Sequence, residues 1–250
     1  MPKIIAFAGK GGVGKTTIGG ILLRYLIEER KEWPILAVDA DPNSNLNEVL
    51  GVDVTSTIGE ARELMKKDVP QGMTKDVWFE YKVHEAIIEG KGFDLLVMGR
   101  PEGPGCYCAA NSLAKQSIET LKKNYPFVVV DNEAGMEHMS RLVTQDLDYL
   151  YVVSDPSPRG LMTAKRIIEL IGELNLSIKK RHIIVNRVRE SEESSVAKLA
   201  QEKGIEITGF IRDDRALVKA DSDGISIFSM PRESFVISDA YSIFAKTLKG

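Results

Sequence analysis

The chain has 250 residues, 43% hydrophobic and 28% charged, with a formal net charge of −3, which suits one large α/β domain and excludes the basic excess of a phosphate-backbone binder. Two cysteines cannot build a secreted disulfide framework, no run approaches the ~20 apolar residues of a membrane span, and the apolar run in "MPKIIAFAGKGG" is too short for a signal peptide. A cytoplasmic protein is expected, with neither nucleic acid nor membrane as partner.

In chain order, short apolar runs fall at 3–8, 34–40, 93–99, 126–131, 148–153, 181–186 and 205–211. Most are continuous rather than alternating, as strands read when both faces are buried in a parallel sheet. Helix-like segments lie between them, at 15–30, 57–67, 79–90, 110–124, 158–174, 192–203 and 233–248. Ser157 before Pro158 makes an N-cap followed by an N1 proline. The alternation predicts a doubly wound, mostly parallel sheet flanked by helices, in a single domain over 1–250. The stretch 51–92 is the least strand-like and reads as a helical insertion beside the active face.

The first strand runs into Gly9-Lys10-Gly11-Gly12-Val13-Gly14-Lys15-Thr16-Thr17 and then a helix. This fits G-x-x-x-x-G-K-[ST] in its strand–loop–helix setting. The glycines let backbone N–H groups turn toward a phosphate, and the helix N-terminus adds positive potential. Lys15 suits the β/γ oxygens of ATP, and the Thr16 hydroxyl suits Mg²⁺. A second lysine, Lys10, is not needed by an ordinary loop of this kind.

With that lysine, "GKGGVGKT" resembles the deviant Walker A loop of the MinD/ParA/nitrogenase-iron-protein family of P-loop ATPases. The resemblance implies a nucleotide-sandwich homodimer in which Lys10 reaches the partner's phosphates. "VDADPNSNL" (38–46) is similar to the family's first switch. Asp41 matches the carboxylate that orients the attacking water, and Asp39 the one near Mg²⁺ and Thr16. "FVVVDNEAG" (127–135) resembles the Walker B strand and second switch, where Asp131 holds Mg²⁺ through water and the Gly135 N–H senses the γ-phosphate. Asn132-Glu133 departs from the pair that relatives often carry. "IIVNRV" (183–188) places Asn186 where the family reads the adenine edge. A structural Asn in a turn is the other reading. The loop 211–217 completes the base pocket in this reading.

Both cysteines lie in "GCYC", at Cys106 and Cys108. Three readings stand: a strained disulfide across one residue, two small buried hydrophobes, or a metal site. Residues i and i+2 of an extended segment point the same way, so two thiolates can approach one ion. Two ligands are too few for a soft divalent ion; His84, His138 and His182 are isolated, and no third cysteine exists. A two-fold dimer would complete a Cys₄ site holding Ni²⁺ or Zn²⁺. Met136, Glu137 and His138 follow the second switch and read as switch surface or as a relay.

"GKGGVGKTT", "GRPEGPGCYCAANS" and "DNEAGMEH" together are similar to the CooC-type nickel-insertion ATPases, accessory proteins of carbon monoxide dehydrogenase, and to the relatives that serve acetyl-CoA synthase. The resemblance implies ATP hydrolysis to ADP and phosphate, nickel as cargo, and one of those enzymes as client. Two other readings belong to the wider family. An iron–sulfur reductase of the nitrogenase kind needs a second cysteine after the Walker B switch, and none occurs over 109–250. A MinD/ParA-like positioning ATPase of the membrane-binding type needs a basic amphipathic tail, and "RESFVISDAYSIFAKTLKG" has few cations.

Overall fold

The structure, a computed structural model, describes residues 2–43, 45–100, 115–133, 146–173 and 176–249. β1 (Lys3–Gly9) leads into α1 (Lys15–Tyr25), which continues as a π turn over Leu26–Arg30. β2 (Ile35–Asp39) is followed by α2 (Leu46–Leu50), α3 (Ile58–Lys67) and α4 (Lys75–Glu85). β3 (Ile88–Glu89) and β4 (Phe93–Val97) precede α5, helical over 115–121, and β5 (Phe127–Asp131). β6 (Asp146–Ser154), α6 (Pro158–Glu173), β7 (Ser177–Val188) and α7 (Glu193–Glu202) follow. The chain then runs through β8 (Gly209–Arg212), α8 (Arg215–Ser222) and α9 (Phe235–Thr247).

One sheet takes the described strands in the order β3-β4-β2-β5-β1-β6-β7-β8. Every pair is parallel except β3–β4. The apolar runs explain this: β2 and β5 are buried along their whole length, and successive side chains enter two different cores. Ile4, Ala6, Leu36, Val38, Val128 and Val130 face one core; Ile5, Phe7, Ile35, Ala37, Phe127 and Val129 face the other. α6 covers the first with Leu161, Ala164, Ile167 and Ile171, a stripe at helical spacing. Each fully buried aliphatic there contributes about 1.5–3 kcal/mol by transfer, so packing rather than propensity holds the helix. α1 and α9 cover the second core. As expected, the Ser157 hydroxyl caps α6, accepting the Gly160 N–H at 3.0 Å.

The boundaries differ from the sequence reading at several points; β7, for one, begins at Ser177 rather than 181, and α2 (Leu46–Leu50) falls outside the helix-like segments of the sequence. The segment 79–90 is not one helix: α4 starts at Lys75, where Thr74 caps Val77 N–H, and ends at Glu85. Ile88–Glu89 then pairs antiparallel with Leu95 and Asp94 across Gly90-Lys91-Gly92. The run 205–211 pairs in the sheet only from Gly209, because Ile205 closes the end of α7 on the Ala200 carbonyl. The stretch 211–217 is not all loop. Asp214, 8% exposed, caps Ala216 N–H at 2.9 Å, and α8 begins at Arg215. Among the described residues no helix is long and apolar enough to cross a membrane.

Strand register sets the working edge. Asp39 and Asp131 are partners across β2 and β5, Phe7 sits opposite Asp131, Gly9 opposite Val153, and Ser154 opposite Val185. The carboxyl ends of β2, β5, β1, β6 and β7 therefore finish close to level. That is where open α/β sheets bind ligands.

Candidate active site

The loop between β1 and α1 is held from behind. Gly14, the N-cap of α1, has φ 94°, and a Cβ there would lie 2.5 Å from Asn186 Nδ2, so conformation and contact both demand glycine. Asn186 stands near the end of β7, 4% exposed. Its Nδ2 donates to the Val13 carbonyl at 2.8 Å, and its Oδ1 accepts the Arg187 N–H at 2.9 Å. Arg187 takes the left-handed backbone at φ 59° and donates from Nη1 to the Gly12 carbonyl at 3.0 Å. Each carbonyl so engaged fixes its peptide plane, and the N–H on the far side of that plane is fixed with it. The loop's shape is thereby set in advance, as a phosphate-binding nest requires.

Lys15 opens α1 and is 7% exposed; its Nζ lies 3.5 Å from the Lys10 carbonyl. Burial lowers its pKa, while the charges of Asp131, then Asp41, then Glu133 oppose that shift. Those carboxylates face the same ammonium. The Lys10 side chain is exposed at the rim.

Asp39 and Asp131 end β2 and β5 side by side, at 0% and 2% exposure. Burial pushes the Asp39 carboxyl up to about 7 and Asp131 up to about 6. Asp39 is engaged at both oxygens, accepting the Asp41 N–H at 3.1 Å and the Leu46 N–H at 3.0 Å. Asp131 accepts from the Thr16 hydroxyl, and its Oδ1 is buried without a protein partner. A buried carboxylate oxygen with unused acceptor capacity, beside a hydroxyl at the mouth of a phosphate loop, fits a hard divalent cation. Thr16 and Asp131 are the residues that would hold Mg²⁺, which supplies charge neutralisation to bound phosphates.

Asp41 begins the loop after β2, and its Oδ1 accepts the Asn43 N–H at 2.8 Å. The structure thus gathers Gly9, Lys10, Gly11, Gly12, Val13, Gly14, Lys15, Thr16, Thr17, Asp39, Asp41, Asp131 and Asn186 at one sheet edge. Gly135, Cys106, Cys108 and the 136–138 segment lie outside the described residues. His84 and His182 join no group of three or more His, Cys, Asp or Glu suited to a metal among the described residues.

Sequence reasoning did not single out two of the tethers. Arg187 carried no periodic signal, and only its left-handed backbone reveals it. Asn132, noted only as a departure from relatives, is 6% exposed and donates from Nδ2 to the Phe7 carbonyl at 2.9 Å, tying the exit of β5 to β1.

Comparison with known proteins agrees with this geometry. Residues 4–227 match the family model of the CobQ/CobB/MinD/ParA nucleotide binding domain. The chain is 43% identical to an uncharacterized ATP-binding protein of Methanocaldococcus jannaschii, covering 98% of each. It is 32% identical to the carbon monoxide dehydrogenase accessory protein CooC of Rhodospirillum rubrum, covering 90% of this chain and 89% of that one. The fold is similar to the MinD cell division protein of Aquifex aeolicus, with TM-score 0.73 at 21% identity over 98% of this chain and 96% of that chain. A ParA family ATPase of Chlorobium tepidum gives TM-score 0.74 at 19% identity, covering 97% of this chain and 98% of that chain. With its phosphate loop and paired carboxylates at the carboxyl edge of a doubly wound sheet, the chain belongs to the CobQ/CobB/MinD/ParA nucleotide-binding family and is one of its ATPases.

Proposed function

We propose that this ATPase is a cytoplasmic nickel-insertion factor, one domain over 1–250, that works as a homodimer on a client nickel enzyme. The client is a carbon monoxide dehydrogenase or an acetyl-CoA synthase. The observation that carries the reading is the Cys106-x-Cys108 pair in a chain with only two cysteines and 32% identity to CooC along nearly its whole length. Two thiolates make half a tetrahedral sphere, so two copies share one Ni²⁺ or Zn²⁺. Family relatives commonly dimerise, which supports such sharing.

In this reading ATP binds over Gly9–Thr17, Lys15 holds the β/γ oxygens and Asn186 meets the base. Lys10 of each protomer reaches the phosphates bound to the other. Thr16 and Asp131 hold Mg²⁺, with Asp39 behind them. Asp41 orients a water that attacks the γ-phosphorus, breaking the bond to the β–γ bridging oxygen and giving ADP and phosphate. The Gly135 N–H reports the loss of the γ-phosphate. The nickel ion is cargo, taken up by the thiolates and handed on.

The test is metal content together with mass in solution, with and without ATP. We expect about one nickel or zinc per two chains, lost in Cys106→Ser/Cys108→Ser while ATP hydrolysis is retained. One metal per chain at a monomeric mass overturns the shared site.

A further inference from the structure

One edge of the sheet is unevenly covered. β7 has 12 residues, and β8, the strand outside it, has 4. β8 pairs with β7 only from Ile184 onward, so residues 177–182 have β6 as their one strand neighbour among the described residues. The Ile183 N–H donates to Thr208 Oγ1 at 3.2 Å, and the Ile183 carbonyl accepts the Thr208 N–H at 2.8 Å, so both main-chain groups of Ile183 turn away from β6. Alternation along a parallel strand turns the N–H and C=O of Lys179 and Arg181 the same way. They face a groove of about 740 Å³ walled by α6, the segment 204–208 and the end of α9. Lys165, Lys180, Arg181 and Lys246 line it against a single acid, Glu206, in a chain whose net charge is −3. None of the four cations joins an ion pair among the described residues. Lys165 donates to the Lys203 carbonyl at 2.7 Å, and Lys180 lies over the Tyr149 ring. Ile183 enters the core under α6 and Ile184 the core under α9, so Arg181 stands with Lys165 on one face of the edge and Lys180 with Lys246 on the other. His182, stacked on Tyr151, also lines the groove, and its Nε2 is buried with no partner among the described residues.

We propose that the open edge of β7 receives an acidic, extended segment of a partner protein, which joins the sheet as a further strand in line with β8. In strand addition the main-chain bonds give affinity and the alternating side chains give specificity. The open residues 177–182 span about 20 Å, room for six residues of an added strand. Charge selects the occupant. Carboxylates on one face of that strand meet Lys165 and Arg181, those on the other meet Lys180 and Lys246, and small apolar side chains meet Ile168 and Ile205. A second copy of this edge would bring the same cations and be repelled. A helix would leave the main-chain groups of Lys179 and Arg181 without partners. The groove lies at the opposite end of β7 from Asn186, so an occupant leaves the phosphate loop free. The proposal does not depend on nickel or on the cysteines.

The probe is a fluorescein-labelled peptide, Glu-Val-Glu-Glu-Val-Glu, which sets carboxylates on both faces of a strand, titrated onto the full chain by anisotropy. Binding should saturate with a Kd below about 1 mM and weaken as salt is raised. The peptide with Lys in place of Glu should bind at least about tenfold more weakly, as should one N-methylated at every residue, which keeps the charge and loses the N–H donors. Amide exchange locates the contact. The Lys179 and Arg181 N–H groups should exchange quickly in the free chain and at least about tenfold more slowly with peptide, while Lys180 and His182, turned toward β6, stay slow throughout. Lys180→Glu/Arg181→Glu should weaken the peptide by about tenfold or more with ATP hydrolysis near wild type, which also shows that the variant folds. Absence of saturable binding overturns the proposal and leaves the cations as guards against edge-to-edge association. Undiminished affinity of the N-methylated peptide, or its displacement by an equal amount of oligothymidylate, makes the groove a general polyanion site and overturns strand addition. Slow exchange at Lys179 and Arg181 in the free chain overturns it too, since the edge would already be covered.

Discussion

Two loops leave the sheet edge side by side and are held in opposite ways. The phosphate loop, between β1 and α1, is braced by parts of the chain more than 170 positions away: Asn186 on Val13 and Arg187 on Gly12. The loop after β2 is held mainly by its own acids, Asp39 on Asp41 and Leu46, and Asp41 on Asn43, with Arg100 as its distant clamp. Long-range braces hold one shape and cost free energy to break. Local Asx-type turns exchange with other local bonds at little cost. The first loop is thus fixed in one shape by distant parts of the chain, while the second is held by bonds that can exchange locally.

Substitutions on the two sides should therefore behave differently. The largest effect is expected for Lys15→Ala, which removes the buried ammonium and should weaken nucleotide affinity by about 100-fold or more, read by titration with a fluorescent ADP analogue. Asp41→Ala, on the responsive side, should lower kcat by about 100-fold or more while the nucleotide Kd stays within about threefold; normal hydrolysis by this variant removes Asp41 from the water-orienting role. Next comes Gly14→Ala. It should cost about tenfold in affinity through left-handed strain and the meeting with Asn186, without a change in kcat once the site is saturated. Asn186→Ala should lower unfolding free energy by about 1–3 kcal/mol in a denaturant titration, because the buried Val13 carbonyl loses its donor. If Asn186→Ala leaves both stability and affinity untouched, the brace is decorative and the contrast between the loops fails.

The smallest expected effect is on pH dependence. Asp39 and Asp131 are pushed up to about 7 and about 6 by burial, from the 3.8 of a free carboxyl. The folded chain therefore binds more protons than the unfolded chain between about pH 4 and 7, and these groups make stability fall as pH rises through that window. Nucleotide-free protein should melt a few degrees lower at pH 8 than at pH 5.5. Asp39→Asn should flatten the slope, and an unchanged slope would show that these carboxyls are not its source.

Much of this was legible because the sheet is buried on both faces. Runs such as "FVVVD" cannot sit at a surface, so their strands and the loops at their ends followed directly. The phosphate loop was legible for a different reason: its glycines and Lys15 match a short motif at fixed spacing, although Gly14 answers to packing against Asn186 as well. The hairpin at 88–95 was hidden by its brevity, since two residues carry no period, although Gly90-Lys91-Gly92 marked the turn. The cap at Asp214 was hidden inside a run of charges. Arg187 and Arg100 could not be found at all from sequence. Their partners are a main-chain carbonyl and an Asn side chain far away in the chain, and no spacing rule encodes such a meeting.

The two neighbouring acids at the ends of β2 and β5 have a calorimetric consequence. Burial holds both above the ordinary carboxylate range, so a divalent metal bound beside them would displace a hydrogen ion into the medium. The heat of association should then track the ionisation enthalpy of the buffer, differing between phosphate and Tris by an amount that counts the hydrogen ions released.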